Sequence, residues 1–206
     1  MAIKNIVFDM GNVLIDYDAR RVIDALGTCE EDKREVYSCL FDSYAWVHTD
    51  LGILSEEEIL AKALKDIKSE SAAKLCREAY RAWPKYNLTA KPDMEELCLK
   101  LKDRGMKLYI LSNAASVCRE ALREILGCYN DFSGMAFSAE LHCIKPQSFI
   151  YEKFFKIFRI KPEECFFIDD LNENIRAGER FGMKGYVFDG DSAKLEKFLC
   201  DRVIGL

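Results

Sequence analysis

The chain is short of the residues that build several common kinds of site. It has two histidines, His48 and His142, and no two of its nine cysteines stand in a C-x-x-C pair, so no structural zinc pattern is present. Cys29, Cys39, Cys76, Cys98, Cys118, Cys128, Cys143, Cys165 and Cys200 are scattered. An odd count in a chain this long argues for reduced thiols in the cytosol, most of them acting as small buried hydrophobes. No uninterrupted apolar run of about 18 residues occurs, so no membrane-spanning helix is expected. Positive charge is not in excess. A net charge of −5 gives no general attraction to nucleic acid or to an anionic membrane surface, though it leaves room for a local cationic pocket. The opening stretch MAIKNIVFDMGNVLID lacks both a long apolar segment and a small-residue cleavage site, so no signal peptide is expected. Internal repeats and low-complexity linkers are also missing.

What is present is enough apolar surface, 50 % of 206 residues, to fold without cross-links. Five short apolar runs are expected to be strands: Asn5-Ile6-Val7-Phe8, Lys107-Leu108-Tyr109-Ile110-Leu111, Met135-Ala136-Phe137, Cys165-Phe166-Phe167-Ile168 and Gly185-Tyr186-Val187-Phe188. Continuous apolar runs of this length suit strands covered on both faces of a parallel sheet. Helical patterns over 93–104, 116–126, 148–158 and 173–181 lie between them, three of the four stopped by Gly105, Gly127 and Gly182. The alternation predicts an α/β, Rossmann-like, doubly wound and mainly parallel five-stranded sheet. Residues 17–88 break it: they read as helices throughout, with Ser55-Glu56-Glu57-Glu58 as an N-cap and acidic first turn. The expected organisation is therefore a core of residues 1–16 and 89–206 carrying an all-helical cap of residues 17–88.

In an open α/β sheet, ligands bind beyond the carboxyl ends of the strands. Three runs end there in polar residues: Asp9, Ser112-Asn113 and Asp169-Asp170, while Lys145-Pro146 opens the loop before a helix. Taken singly, each has an ordinary explanation as a turn, a cap or a solvated loop. Taken as an ordered set, they supply carboxylates for a hard cation, a hydroxyl donor and one point cation. Those groups suit a phosphoryl group with Mg²⁺.

The four segments in order are Val7-Phe8-Asp9-Met10-Gly11-Asn12-Val13-Leu14, Leu111-Ser112-Asn113, Lys145-Pro146 and Phe167-Ile168-Asp169-Asp170-Leu171-Asn172-Glu173-Asn174. Together with a helical insert after the first segment, they resemble the haloacid dehalogenase superfamily over essentially the whole chain. Within it the chain looks most like small bacterial sugar-phosphate phosphatases that begin F-D-x-G-N-V, including those acting on glucose 1-phosphate. The resemblance implies a phosphatase acting on a small phosphorylated metabolite, a sugar phosphate, in the cytoplasm as a monomer or homodimer, with no nucleic-acid or membrane partner. It implies that Asp9 attacks phosphorus to give an aspartyl-phosphate. Asp9 and Asp170 would bind Mg²⁺ with the Gly11 carbonyl, and Asp169 would be an alternate or indirect ligand. Ser112 and Asn113 would donate hydrogen bonds to the phosphoryl oxygens, and Lys145 would bridge Asp9 and the phosphoryl group.

One position departs from the superfamily pattern. Most phosphatases of this kind carry a second Asp two residues after the nucleophile as general acid/base, and here that residue is Gly11. Asp16, Asp18 and His48 are the nearby groups that could substitute. Superfamily dehalogenases also lack the second Asp, so a metal-free dehalogenase-like hydrolase is an alternative, as is a non-catalytic phosphoryl-binding protein. Candidate readers of the rest of the substrate are Tyr44, Trp46, His48, Trp83 and Tyr86, with Arg20 and Arg21 for a second anion.

Overall fold

A computed structural model describes residues 2–204. Its strands are β1 (Asn5–Phe8), β2 (Ile15–Tyr17), β3 (Leu88–Ala90), β4 (Lys107–Ser112), β5 (Phe132–Phe137), β6 (Cys165–Asp169) and β7 (Lys184–Val187). Five of them form one sheet in the order β5-β4-β1-β6-β7, and every pairing in it is parallel. Period-two alternation sorts the side chains to two faces. Ile6, Phe8, Leu108, Ile110, Phe166 and Ile168 enter one apolar cluster. Val7, Tyr109, Leu111, Cys165 and Phe167 enter the other. This two-sided burial is why the strands read as unbroken apolar runs.

The helices are α1 (Arg20–Leu26), α2 (Glu30–Val36), α3 (Tyr44–Leu51), α4 (Glu56–Asp66), α5 (Glu70–Asn87), α6 (Pro92–Asp103), α7 (Cys118–Ile125), α8 (Ser138–Leu141), α9 (Ser148–Phe158), α10 (Asn172–Glu179) and α11 (Ser192–Leu199). The capping box expected at α4 is formed: Ser55 Oγ accepts from Glu58 N, and Ser55 N donates to the Glu58 carboxylate. From β1 the chain steps outward through β4 and β5, then returns to the opposite side of β1 for β6 and β7. The order therefore reverses at β1, and the carboxyl ends of β1, β4 and β6 open onto a shared crevice.

A small second sheet is present that no pattern in the sequence announces. Strands β2 and β3 pair antiparallel, Ile15 with Ala90, Asp16 with Thr89 and Tyr17 with Leu88. Each is three residues long and its partner is distant in the chain, so no local periodicity announces it. The ribbon carries the chain out to helices α1–α5 and back. The boundaries expected at 16/17 and 88/89 fall inside it, and we propose that α1–α5 form the cap.

Candidate active site

Asp9 follows β1 directly, its backbone N–H donating to the Ile168 carbonyl at 2.8 Å. That bond sets the end of β1 beside the end of β6, where Asp169 and Asp170 lie. One ligand atom from each of Asp9, Asp169 and Asp170 falls within 4.8 Å of the others. Lys145 is buried between two of these carboxylates, with Nζ 2.8 Å from Asp9 Oδ1 and 2.7 Å from Asp169 Oδ2. Two of the three carboxylates thus share one cation.

The three are not equivalent. Asp169 is fully buried and saturated: it accepts from Lys145 Nζ, from Leu171 N at 2.9 Å and from Asn174 Nδ2 at 2.9 and 3.1 Å. Asp170 accepts a single side-chain bond, from Asn12 Nδ2 at 3.0 Å. Asp9 Oδ1 is buried, with the Lys145 ammonium 2.8 Å away. Burial raises the Asp9 carboxyl above its ordinary range. The Lys145 ammonium and the Ser112 hydroxyl oppose that rise, and the Asp169 charge adds to it. Burial alone would pull Lys145 down, but Asp9 and Asp169 outweigh it and hold the ammonium protonated above its usual range.

This donor set fits a divalent cation. All donors are hard oxygens, and the local charge is anionic after Lys145 is counted. Asp9 and Asp170 have ligand capacity to spare. Asp169 has none, which suits it to holding Lys145 and the start of α10 in place.

Asn113 lines the cavity and is also bonded to the backbone of Lys145. Its Nδ2 donates to the Lys145 carbonyl at 2.9 Å, and its Oδ1 accepts from Lys145 N at 2.7 Å. Each end of the amide thus makes one bond to the Lys145 backbone, which braces the residue whose ammonium reaches Asp9, and Nδ2 has a second proton to donate. Asn12, Asn174 and Asp50 were not singled out from sequence. Asn12 carries a signal only in hindsight: it sits at φ 57, in the left-handed region that Asn tolerates better than most residues. There it aims its amide at Asp170.

Above Asp9, a cavity of about 330 Å³ is walled on the core side by Ser112, Asn113 and Asp170. Its cap side is built from Trp46, Thr49, Asp50 and Trp83. Trp46 and Trp83 meet edge to face with centroids 5.2 Å apart, and Tyr17 packs against Trp83 at 6.3 Å. The other expected readers point elsewhere. Tyr44 is 81 % exposed. His48 donates from Nδ1 to the Tyr44 carbonyl and lines a separate depression with Cys39 and Lys62. Arg20 lies over Tyr37, Arg21 donates to Thr89, and Lys85 approaches the Tyr86 ring. None of these residues lines the cavity.

Residues 3–182 match the family profile described as haloacid dehalogenase-like hydrolase. A D-ribitol-5-phosphate phosphatase of Bacteroides thetaiotaomicron is 27 % identical over 198 residues, spanning 89 % of this chain and 91 % of that protein. Haloacetate dehalogenase H-2 of Moraxella sp. strain B is 27 % identical over 210 residues, spanning 91 % and 89 %. A crystal structure of a HAD family enzyme from Bacteroides thetaiotaomicron, in complex with magnesium and inorganic phosphate, superimposes with a TM-score of 0.75 at 22 % identity. The match covers 94 % of this chain and 99 % of that one.

Proposed function

Because the chain belongs to the haloacid dehalogenase-like hydrolases, we propose that it is a Mg²⁺-dependent phosphatase of a small phosphorylated metabolite, working through an aspartyl-phosphate on Asp9. The observation that carries this reading is the charge imbalance at the strand ends. Asp9, Asp169 and Asp170 bring ligand atoms within 4.8 Å of one another, while the Lys145 ammonium pairs with only Asp9 and Asp169. Asp9, Asp170 and the Gly11 carbonyl would hold the metal. When bound, the cation supplies neutralising charge between two anions, the Asp9 carboxylate and the phosphoryl group.

The protein's own groups divide the rest of the work. Asp9 attacks phosphorus, and the alkoxide of the substrate departs. Water then attacks the same phosphorus, releasing phosphate and restoring Asp9. Lys145 stays charged throughout and offsets the negative charge that builds on Asp9 and the phosphoryl oxygens. Ser112, buried at the end of β4 and lining the cavity, would donate to a phosphoryl oxygen. Asn113 braces the backbone of Lys145.

A sugar phosphate suits the cavity, which lies near the small end of the range for ligand sites. Trp46 and Trp83 offer aromatic faces for the apolar side of a sugar ring. The similarity to a ribitol-phosphate phosphatase supports the same class.

The dehalogenase reading has its own support in the similarity to a haloacetate dehalogenase and in Gly11. Metal-free displacement of halide from a haloacid needs a cation for the substrate carboxylate and the departing halide. Among the described residues lining the cavity there is no lysine or arginine, and Lys145 is already shared by Asp9 and Asp169. One assay separates the readings: phosphate release from a phosphometabolite panel and halide release from haloacids, each with Mg²⁺ and with EDTA. Mg²⁺-dependent phosphate release is the expected result. Halide release alone would establish the dehalogenase, and neither release would leave a binding protein.

A further inference from the structure

Gly11 raises the question of where the leaving group's proton comes from. A Cβ built at Gly11 meets nothing within 4 Å, so position 11 opens onto empty cavity with no group to carry a proton. The three substitutes suggested by sequence are engaged elsewhere. Asp16 pairs with Lys91 at 3.2 Å, Asp18 accepts from Arg20 N at 2.9 Å, and His48 is bonded to Tyr44. None of them lines the cavity.

Asp50 does. Apart from Asp9 and Asp170 on the floor, it is the one carboxylate among the described lining residues, and it comes from the opposite wall, at the end of α3. Trp46, Thr49 and Asp50 stand at i, i+3 and i+4, so one face of α3 carries all three into the cavity. Two contacts tie this end of α3 to the core. Gly52 caps it at φ 61 so close to α8 that a Cβ there would lie 2.3 Å from the Ala139 carbonyl oxygen. His142 Nδ1 donates to the Leu51 carbonyl at 3.2 Å. Because α8 follows directly on β5, the height of Asp50 above the strand ends is set by the sheet itself.

We propose that Asp50 is the general acid and base of the reaction, delivered from the cap in place of a side chain at position 11.

The surroundings of Asp50 suit that task. No cation pairs with it among the described residues, and the groups facing it are Tyr17 from β2, Cys118 from α7 and the Thr49 hydroxyl beside it. Burial pushes its carboxyl up to about 6, with only the Thr49 hydroxyl opposing. Its place in the last turn of α3 acts in the same direction. Burial also drives the Cys118 thiol up to about 12 and raises the Tyr17 phenol, so both stay neutral near pH 7. A carboxyl poised near neutrality can give a proton and take one back. In the first step Asp9 forms its bond to phosphorus, the bond from phosphorus to the leaving oxygen breaks, and that oxygen takes the Asp50 proton to become the alcohol. In the second step Asp50 accepts a proton from water as the water oxygen bonds to phosphorus. The bond between phosphorus and Asp9 then breaks, leaving phosphate, free Asp9 and protonated Asp50.

This assignment rests on the phosphatase reading, and the experiment keeps the two apart. Asp50→Asn and wild type are compared by kcat/KM on p-nitrophenyl phosphate, whose leaving group needs no proton, and on phenyl phosphate, whose leaving group benefits from one. The variant is expected to stay within about threefold of wild type on the first and to fall at least about tenfold on the second. In wild type the ratio of phenyl to p-nitrophenyl rates should decline as pH rises through about 6, and in the variant it should be flat. Adding Gly11→Asp to Asp50→Asn puts a carboxylate into the open space at position 11 and should recover the ratio. An unchanged ratio in Asp50→Asn overturns the assignment and leaves the phosphatase reading standing. An equal loss on both substrates also overturns it, since that marks a structural role. If wild type releases no phosphate from either substrate, both fall.

Discussion

The floor and the roof of the cavity are built on different principles. The floor presents Asp9 and Asp170 at strand ends, with Asp169 and Lys145 buried behind them and Lys145, in the loop between α8 and α9, braced by the Asn113 amide. The roof consists of Trp46, Thr49, Asp50 and Trp83, carried by helices α3 and α5. Floor residues take their positions from the register of a parallel sheet. Roof residues take theirs from the phase of a helix and from how its end docks on the core. The floor is dense in charge and mostly paired. The roof is aromatic and contains one unpaired acid. The lesson is a division of labour: charge is concentrated at the strand ends, while the proposed substrate contact and proton transfer would depend on the docking of the proposed cap.

Breaking the floor should have the largest effects. Asp9→Asn should abolish phosphate release while the protein still folds, because the amide keeps the shape but is a poor nucleophile. Product assays on wild type and variant, prepared identically, check this. Lys145→Met should cost about 3–5 kcal/mol of stability by leaving Asp9 and Asp169 buried without their cation. Urea unfolding at pH 7 reads that loss. Asp170→Ala should cut Mg²⁺-dependent turnover by on the order of 10²-fold or more and raise the Mg²⁺ concentration needed for half activity. A metal titration of residual activity would show it.

Breaking the roof should do less. Gly52→Ala places a Cβ against the Ala139 carbonyl at a positive φ, so the end of α3 must shift. We expect kcat/KM on phenyl phosphate to fall about tenfold, with Asp9-dependent turnover of p-nitrophenyl phosphate largely kept. The smallest effect is on stability. The Asp50 carboxyl is raised by burial, so wild type folds best while that group is protonated and loses the contribution as pH rises through about 6. Asp50→Asn carries no such charge. It should be more stable than wild type by roughly 1–2 kcal/mol at pH 8, after discounting for partial exposure, and equal to it near pH 4. Thermal melts at the two pH values measure the difference.

The same contrast explains what could be read from sequence. The five strands of the main sheet and the polar residues at their ends were legible because both follow from local pattern: an apolar run and the residue that stops it. The partition of labour between Asp169 and Asp170 was expected only from the family resemblance, not from the residues themselves. Asp169 and Asp170 are adjacent, and only the fold shows that Asp169 is spent on Lys145, Leu171 and Asn174. The β2–β3 ribbon was invisible because its pairing is non-local. In the roof, sequence named Trp46 and His48 together, yet residues two apart on a helix lie on nearly opposite sides. Trp46 faces the cavity with Thr49 and Asp50, and His48 turns outward with Tyr44. Asp50 was passed over because nothing in its neighbours marks it. Its significance lies in a docking contact made by Gly52.

The central claim is that Asp9 itself carries the phosphoryl group during turnover. The most direct test is an acid quench of the enzyme cycling on p-nitrophenyl phosphate with Mg²⁺, followed by peptide mass spectrometry. A phosphoryl group on Asp9, missing from an EDTA-treated control and from Asp9→Asn, is the predicted result. Phosphate release at full rate with Asp9 never phosphorylated, or with the group on another side chain, would contradict it.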